Sequence, residues 1–245
     1  MKAGIFDSGI GGLSVLKSIV DARLFNEIIY YGDTARVPYG TKDKDTIIKF
    51  SLEALDFFNK HNIDILIVAC NTASAYALKD MQKKSRIPVI GVVEPGILAL
   101  SNNVQDKNKN ILIIATKATI KSKVYEINLL KLGYKNIKSL QTGLFVSIIE
   151  EGITNGEVLD SALRFYFKNQ ELPDAIILGC THFPLIADKI KEYFDNKPIL
   201  IHSGDAIVQY LIKKYNIKAE SKIPKVKYFA SSNKKFIENA AKKWL

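Results

Sequence analysis

The chain has 245 residues, 47% of them apolar and 24% charged, with a formal net charge of +10. That apolar content excludes a disordered chain and suffices for one large α/β domain or two smaller ones. No run approaches the ~18 uninterrupted apolar residues of a membrane span. Asp7 cuts the first apolar run, Ala3–Phe6, well short of the ~7–15 residues of a signal-peptide core, so a cytoplasmic protein is expected.

The surplus charge is lysine, spread through helical stretches such as Lys79–Lys84 and Lys213–Lys218 and through the tail. Arginine, the better reader of bases and phosphates, occurs only at Arg23, Arg36, Arg86 and Arg164. The pattern is that of a solvated lysine-rich surface and predicts no nucleic-acid partner.

In chain order, strands are expected at Ala3–Phe6, Glu27–Tyr31, Asp64–Ala69 and Pro88–Val93, then at Ile111–Ala115, Ile137–Thr142, Ala175–Gly179 and Pro198–His202. Helical patterns fall between them, among them Thr46–Asn59, Ala73–Lys84, Lys121–Leu132, Glu157–Asn169 and Leu185–Phe194. Lys225–Ser231 reads as a final strand and Asn233–Leu245 as a final helix. Strands alternating with helices predict an α/β fold with mainly parallel sheets covered on both faces, hence three-layered.

The two strand series resemble one another. Asp64-Ile-Leu-Ile-Val-Ala-Cys70-Asn-Thr72 matches Asp174-Ala-Ile-Ile-Leu-Gly-Cys180-Thr-His182, and Ile87–Ile90 matches Lys197–Leu200 at the same offset. Chance likeness among buried strands is the alternative, but independent coincidences rarely keep register. Two similar lobes related by a pseudo-repeat are therefore expected. The first comprises residues 1–93 plus 207–245 and carries Cys70; the second comprises 94–206 and carries Cys180. The tail returns to the first lobe because one strand and one helix are too little to stand alone.

These are the chain's two cysteines. With no CxxC pair and no clustered histidines they make no zinc site, and a disulfide is not expected in a reducing compartment. Each instead ends a corresponding strand, where open α/β sheets bind their ligands, and each precedes small hydroxylated residues that open a helix. Lobes facing across a cleft would put the thiols on opposite walls. One thiolate could then remove a Cα proton from a small chiral substrate, and the other thiol could return a proton to the opposite face. The centre inverts with no cofactor and no metal, provided the site stabilises the developing charge and excludes water. Asp7 and Ser8 leave the first strand, while Asn71-Thr72 and Thr181-His182 follow the thiols. Gly9, Gly11 and Gly12 let backbone amides approach a carboxylate. His182 could assist at Cys180 and Asp7 near Cys70. Equally, Asp7 could cap the next helix and His182 could be structural, as is expected of His61 and His202.

Five segments resemble the glutamate racemases, within the cofactor-independent aspartate/glutamate racemases: Phe6–Ser14, Tyr31–Gly40, Ala69–Ser74, Val93–Gly96 and Gly179–Pro184. The resemblance implies two α/β lobes with the active site between them, and L- and D-glutamate as substrates, with D-glutamate supplied for peptidoglycan. Carried over, Cys70 resembles the base for D-glutamate and Cys180 the base for L-glutamate, with Asp7 and His182 as their assistants and Glu150 as a further acid. Asp7, Ser8, Tyr39, Gly40, Asn71, Thr72, Thr116, Thr119, Thr181 and His182 resemble the substrate-binding set. A homodimer and the absence of an amino-terminal regulatory extension are further expectations. The Ile201–Gly204 segment departs from the family pattern, in which an Asp usually precedes the Ser.

Rival readings remain at this stage. Gly9-Ile-Gly11-Gly12 after a strand, with Asp33 ending the next, suggests a dinucleotide-binding oxidoreductase, but Ser14 stands where the fingerprint needs glycine. A cysteine phosphatase would want an Arg where Tyr76 and Ile186 stand. Aspartate racemase and a non-catalytic two-lobed binding module complete the alternatives.

Overall fold

Ala3, Ile5 and Phe6 are fully buried, as a parallel strand covered on both faces requires. They belong to β1 (Lys2–Asp7), which α1 (Leu13–Asp21) and β2 (Glu27–Gly32) follow. Helix α2 (Lys44–Phe58) begins where the Thr46 amide donates to the Asp43 side chain at 2.9 Å. Then come β3 (Ile65–Val68), α3 (Asn71–Tyr76), α4 (Leu78–Lys84), β4 (Val89–Gly91) and α5 (Val93–Asn103). A second series runs β5 (Asn110–Ala115), α6 (Lys117–Lys121), α7 (Val124–Lys131), β6 (Asn136–Gln141), α8 (Leu144–Glu150) and α9 (Glu157–Phe167). It continues through β7 (Ala175–Gly179), α10 (Ala187–Tyr193), β8 (Ile199–His202) and α11 (Ser203–Tyr215). Strand β9 (Lys225–Ala230) and α12 (Lys234–Trp244) end the computed structural model, which describes residues 1–244.

The first sheet has the order β4-β3-β1-β2-β9 and the second β6-β5-β7-β8, and every neighbouring pair is parallel. Read from its other edge the second sheet is β8-β7-β5-β6, so the two series share one topology and the pseudo-repeat is present in the fold. Strand β9 extends only the first sheet, pairing Glu27 with Lys225. Each sheet is packed on both faces. In the first, Leu13, Leu16 and Ile19 of α1 join Ile207 and Leu211 of α11 on one side, and Leu55 and Phe58 of α2 pack on the other. Phe145 and Leu163 cover one face of the second sheet and Leu100 and Leu129 the other. Helix α11 thus leaves the last strand of the second sheet and crosses onto the first.

Several boundaries differ from the sequence reading for local reasons. The helix expected over Lys121–Leu132 is two, because Lys123 adopts a left-handed φ of 55° between α6 and α7. The one expected over Ala73–Lys84 starts at Asn71 and breaks at Ala77. The strand expected over Pro88–Val93 ends at Gly91, and Val93 opens α5, whose first turn accommodates Pro95. The stretch Leu185–Phe194 is helical only from Ala187, after a 3-10 turn over Phe183–Ile186. The final strand and helix stand at Lys225–Ala230 and Lys234–Trp244; Leu245 lies outside the described residues. Among the described residues no helix is long and apolar enough to cross a membrane.

Candidate active site

Parallel strands place all their carboxyl ends on one side of a sheet, and both cysteines lie there. Cys70 follows β3 by two residues, beside the exit of β1 that carries Asp7 and Ser8; Cys180 follows β7 directly, beside the exit of β5 that carries Thr116. Both are free thiols, and both line one small cavity of about 20 Å³, the room of a single water. Its walls also include Ser8, Tyr39, Gly40, Asn71, Thr72, Thr116, Thr181 and His182, together with Val37, Pro38 and Val146.

Around Cys70, the thiol donates to Ser8 Oγ at 3.5 Å. Burial, and next the Asp7 carboxylate, push that thiol up to about 12, so it is held protonated in this closed state. Asp7 is itself fully buried. It accepts from the Gly9 amide at 2.9 Å and from the Thr181 hydroxyl at 3.2 Å, so a residue of the first sheet reaches the neighbour of Cys180. Burial raises its carboxyl above the ordinary value, against the opposing His182 charge. Helix α1 begins at Leu13 after Gly12, which has no side chain to cap it; the Asp7 carboxylate lies beside the Gly12 amide and also reaches across the lobes to Thr181.

On the other wall, His182 Nδ1 lies 3.7 Å from Cys180 Sγ and Nε2 lies 2.6 Å from Glu150 Oε1. Burial alone would lower the imidazole, but its contacts with Cys180 and then Glu150 outweigh that and raise His182 to about 10. His182 is therefore one member of a Glu150–His182–Cys180 chain, with both ring nitrogens partnered. His61 and His202 lie elsewhere, the first against the Phe57 carbonyl and the second on Asp205.

Three threonine hydroxyls meet where the lobes touch: Thr72, Thr116 and Thr119 are mutually 3.0 Å apart. Each hydroxyl has one hydrogen to donate, so the cluster can turn donors toward a carboxylate. Gly40 faces Thr116, and Gly11 faces His182 and Thr181, so closely that a Cβ at either position would collide. Tyr39 lines the cavity with its ring, while its hydroxyl turns away to Asp33 Oδ2 at 2.5 Å.

The structure thus brings every sequence-expected site residue to one cleft between the sheets, with Asp7, Glu150 and Thr119 reaching it through Thr181, His182 and Thr72. Sequence reasoning missed the supports. Ser14 donates to the Thr181 carbonyl at 2.7 Å across the lobes, and Asp33, fully buried, anchors both Tyr39 and the Arg36 Nε at 2.7 Å. In the Ile201–Gly204 segment the Ser203 hydroxyl accepts from Asn71 Nδ2 at 3.3 Å, while His202, which stands where the family pattern has Asp, pairs with Asp205. In sequence, Ser14 and Asp33 are weighed only for a nucleotide fingerprint, and Ser203 only as part of a segment that departs from the family pattern; nothing local tells that they support the site.

Two lobes of one topology each deliver a buried, free thiol to a shared cleft. In agreement, residues 12–211 match the model of the Asp/Glu/hydantoin racemase family, and the chain belongs to that family of isomerases. The chain is 59% identical to the glutamate racemase of Campylobacter jejuni, over 100% of its own length and 98% of that relative's, and superposes on its crystal structure with a TM-score of 0.98. It is 58% identical to a glutamate racemase of Helicobacter pylori over 100% and 99% of the two chains. The structure of Francisella tularensis glutamate racemase in complex with D-glutamate is similar at 32% identity, with a TM-score of 0.87 and coverage of 100% and 93%.

Proposed function

We propose that the protein is a glutamate racemase that interconverts L- and D-glutamate with two thiols and no cofactor, supplying D-glutamate for peptidoglycan synthesis in the cytoplasm. The observation that carries the reading is that Cys70 and Cys180, at equivalent strand exits, line the same buried cavity. The choice of glutamate draws on the relatives' names and on the D-glutamate held by the Francisella relative.

In this reading Cys180, paired with imidazolium, takes the Cα proton of L-glutamate, and the Cys70 thiol delivers its proton to the opposite face. D-glutamate reacts in reverse. One C–H bond breaks and one forms, so no redox partner or leaving group is needed. Asp7 and His182 assist their thiols, Glu150 holds His182, and the threonine cluster, Ser8, Tyr39, Gly40, Asn71 and Thr181 bind the substrate. The cavity holds about one water, so glutamate enters only when the lobes part and reacts after they close around it and exclude solvent. We place the division at residues 1–93 plus 207–245 and 94–206. Pairing of β9 with β2 supports the return of the tail to the first lobe.

Incubating the pure protein with either enantiomer in D₂O tests this. Both should racemise, gaining deuterium at Cα, with no pyridoxal absorbance and no loss of rate after chelation. Activity on aspartate alone, or only with added pyridoxal phosphate or metal, would overturn it.

A further inference from the structure

Tyr125 lies on α7 of the second lobe and is 3% exposed. Its hydroxyl does not turn to a nearby carbonyl but crosses to the first lobe, donating to Asn71 Oδ1 at 2.6 Å. Asn71 follows Cys70 and lines the cavity, and its Nδ2 donates to Ser203 Oγ at 3.3 Å. A side-chain amide has one carbonyl oxygen and two N–H donors. The Ser203 hydroxyl also lies 3.5 Å from Oδ1, so the phenol and Ser203 between them engage both lone pairs of the oxygen, and what Asn71 has left is an N–H. The Tyr125 ring also lies at the other thiol's strand, because a Cβ on Gly179, the residue before Cys180, would stand 3.4 Å from it. One side chain therefore touches the backbone leading to Cys180 and the amide following Cys70.

We propose that Tyr125 is a positioning residue for the racemase reading above, fixing the Asn71 amide so that it presents an N–H, and not its oxygen, to a carboxylate of the substrate. An amide locked this way accepts a carboxylate and offers nothing to an ammonium group, which sets which end of the amino acid lies beside Cys70. Without the phenol hydrogen the amide is free to turn over, and the cavity gains an acceptor where it needs a donor.

The test is a double-mutant cycle on racemisation with Y125F and N71A, read as kcat, KM and D-glutamate binding by calorimetry. Y125F should lower kcat/KM about tenfold, mainly through KM, in the wild-type background and by less than about twofold in the N71A background. A merely structural tyrosine would give the same loss in both backgrounds, and that result, or a Y125F enzyme within about twofold of wild type, overturns the inference. Should Y125F fail to fold, S203A removes the other amide partner and must show the same non-multiplying pattern with N71A. If the wild-type protein racemises neither glutamate enantiomer, the racemase reading itself has failed and this inference falls with it; an active wild type with multiplying effects sinks the inference alone.

Discussion

Glu150, at the end of α8, holds His182 by a 2.6 Å contact between Oε1 and Nε2, which leaves Nδ1 facing Cys180 Sγ at 3.7 Å. Cys70 has no such cation. Its near neighbours are the Ser8 hydroxyl and the Asp7 carboxylate, which disfavours a thiolate. The two thiols are equivalent in the fold and unlike in electrostatics. The closed protein is poised with a charged imidazole beside Cys180 on one wall and a neutral thiol on the other.

Removing the carboxylate separates these contributions. Glu150→Gln keeps the size but not the charge, so His182 should fall from about 10 toward its ordinary value. A folded-state value above the unfolded one stabilises the protein fully below the unfolded value of ~6.5 and is lost as pH rises through about 10. Thermal melts of the wild type should therefore weaken across that window, and E150Q should flatten the decline. Its kcat should drop roughly ten- to a hundredfold, less than the ~10²–10⁴-fold contributed by a general acid or base itself, because Glu150 acts through His182. An unchanged melting profile would contradict the assignment.

The threonine triangle makes a binding prediction. Thr116→Val removes one hydroxyl of three, and Thr72 and Thr119 keep their mutual bond at 3.0 Å. Because Thr116 also caps α6 by accepting from the Thr119 amide, stability should fall by about 0.5–2 kcal/mol, while KM rises around tenfold with little change in kcat. Steady-state kinetics on both enantiomers checks this.

Gly40→Ala tests closure. The added methyl collides with Thr116 and holds the lobes apart, although Gly40 lies outside both sheets. A misplacement of ~1 Å can cost about a hundredfold in rate, so kcat/KM should fall by that order while the melting temperature stays near wild type.

Asp33→Asn tests the hidden anchor of Tyr39. The variant weakens two bonds to a buried carboxylate, and about 1.5–3 kcal/mol of stability should be lost. Tyr39 would lose its fixed pose, so KM should rise as well. Chemical denaturation and kinetics on the same preparation read both.

Much of this was legible in sequence because the site is built at strand exits. The pattern of Asp64–Thr72 repeated at Asp174–His182 located both thiols and implied a shared topology, which the strand orders bear out. Burial on both faces made the strands near-continuous apolar runs, so their cores were found and only their ends slipped. What stayed hidden depends on tertiary contact. Nothing local told that Tyr125 of α7 would reach Asn71, or that Ser203 would open a helix packed on the first lobe. The break at Lys123 was equally silent, since lysine has no preference for a left-handed φ that sequence could reveal.

The central claim is that each thiol serves one face of Cα, and β-chloroglutamate elimination tests it most directly. Removing the Cα proton expels chloride, so one working base suffices. Cys70→Ser and Cys180→Ser keep the size but supply no anion near neutral pH, so both should lose racemisation. Measured as chloride release, Cys70→Ser should still process the L-enantiomer through Cys180, and Cys180→Ser the D-enantiomer through Cys70. Racemisation surviving in both variants, or loss of the same enantiomer from both, would contradict the two-base assignment.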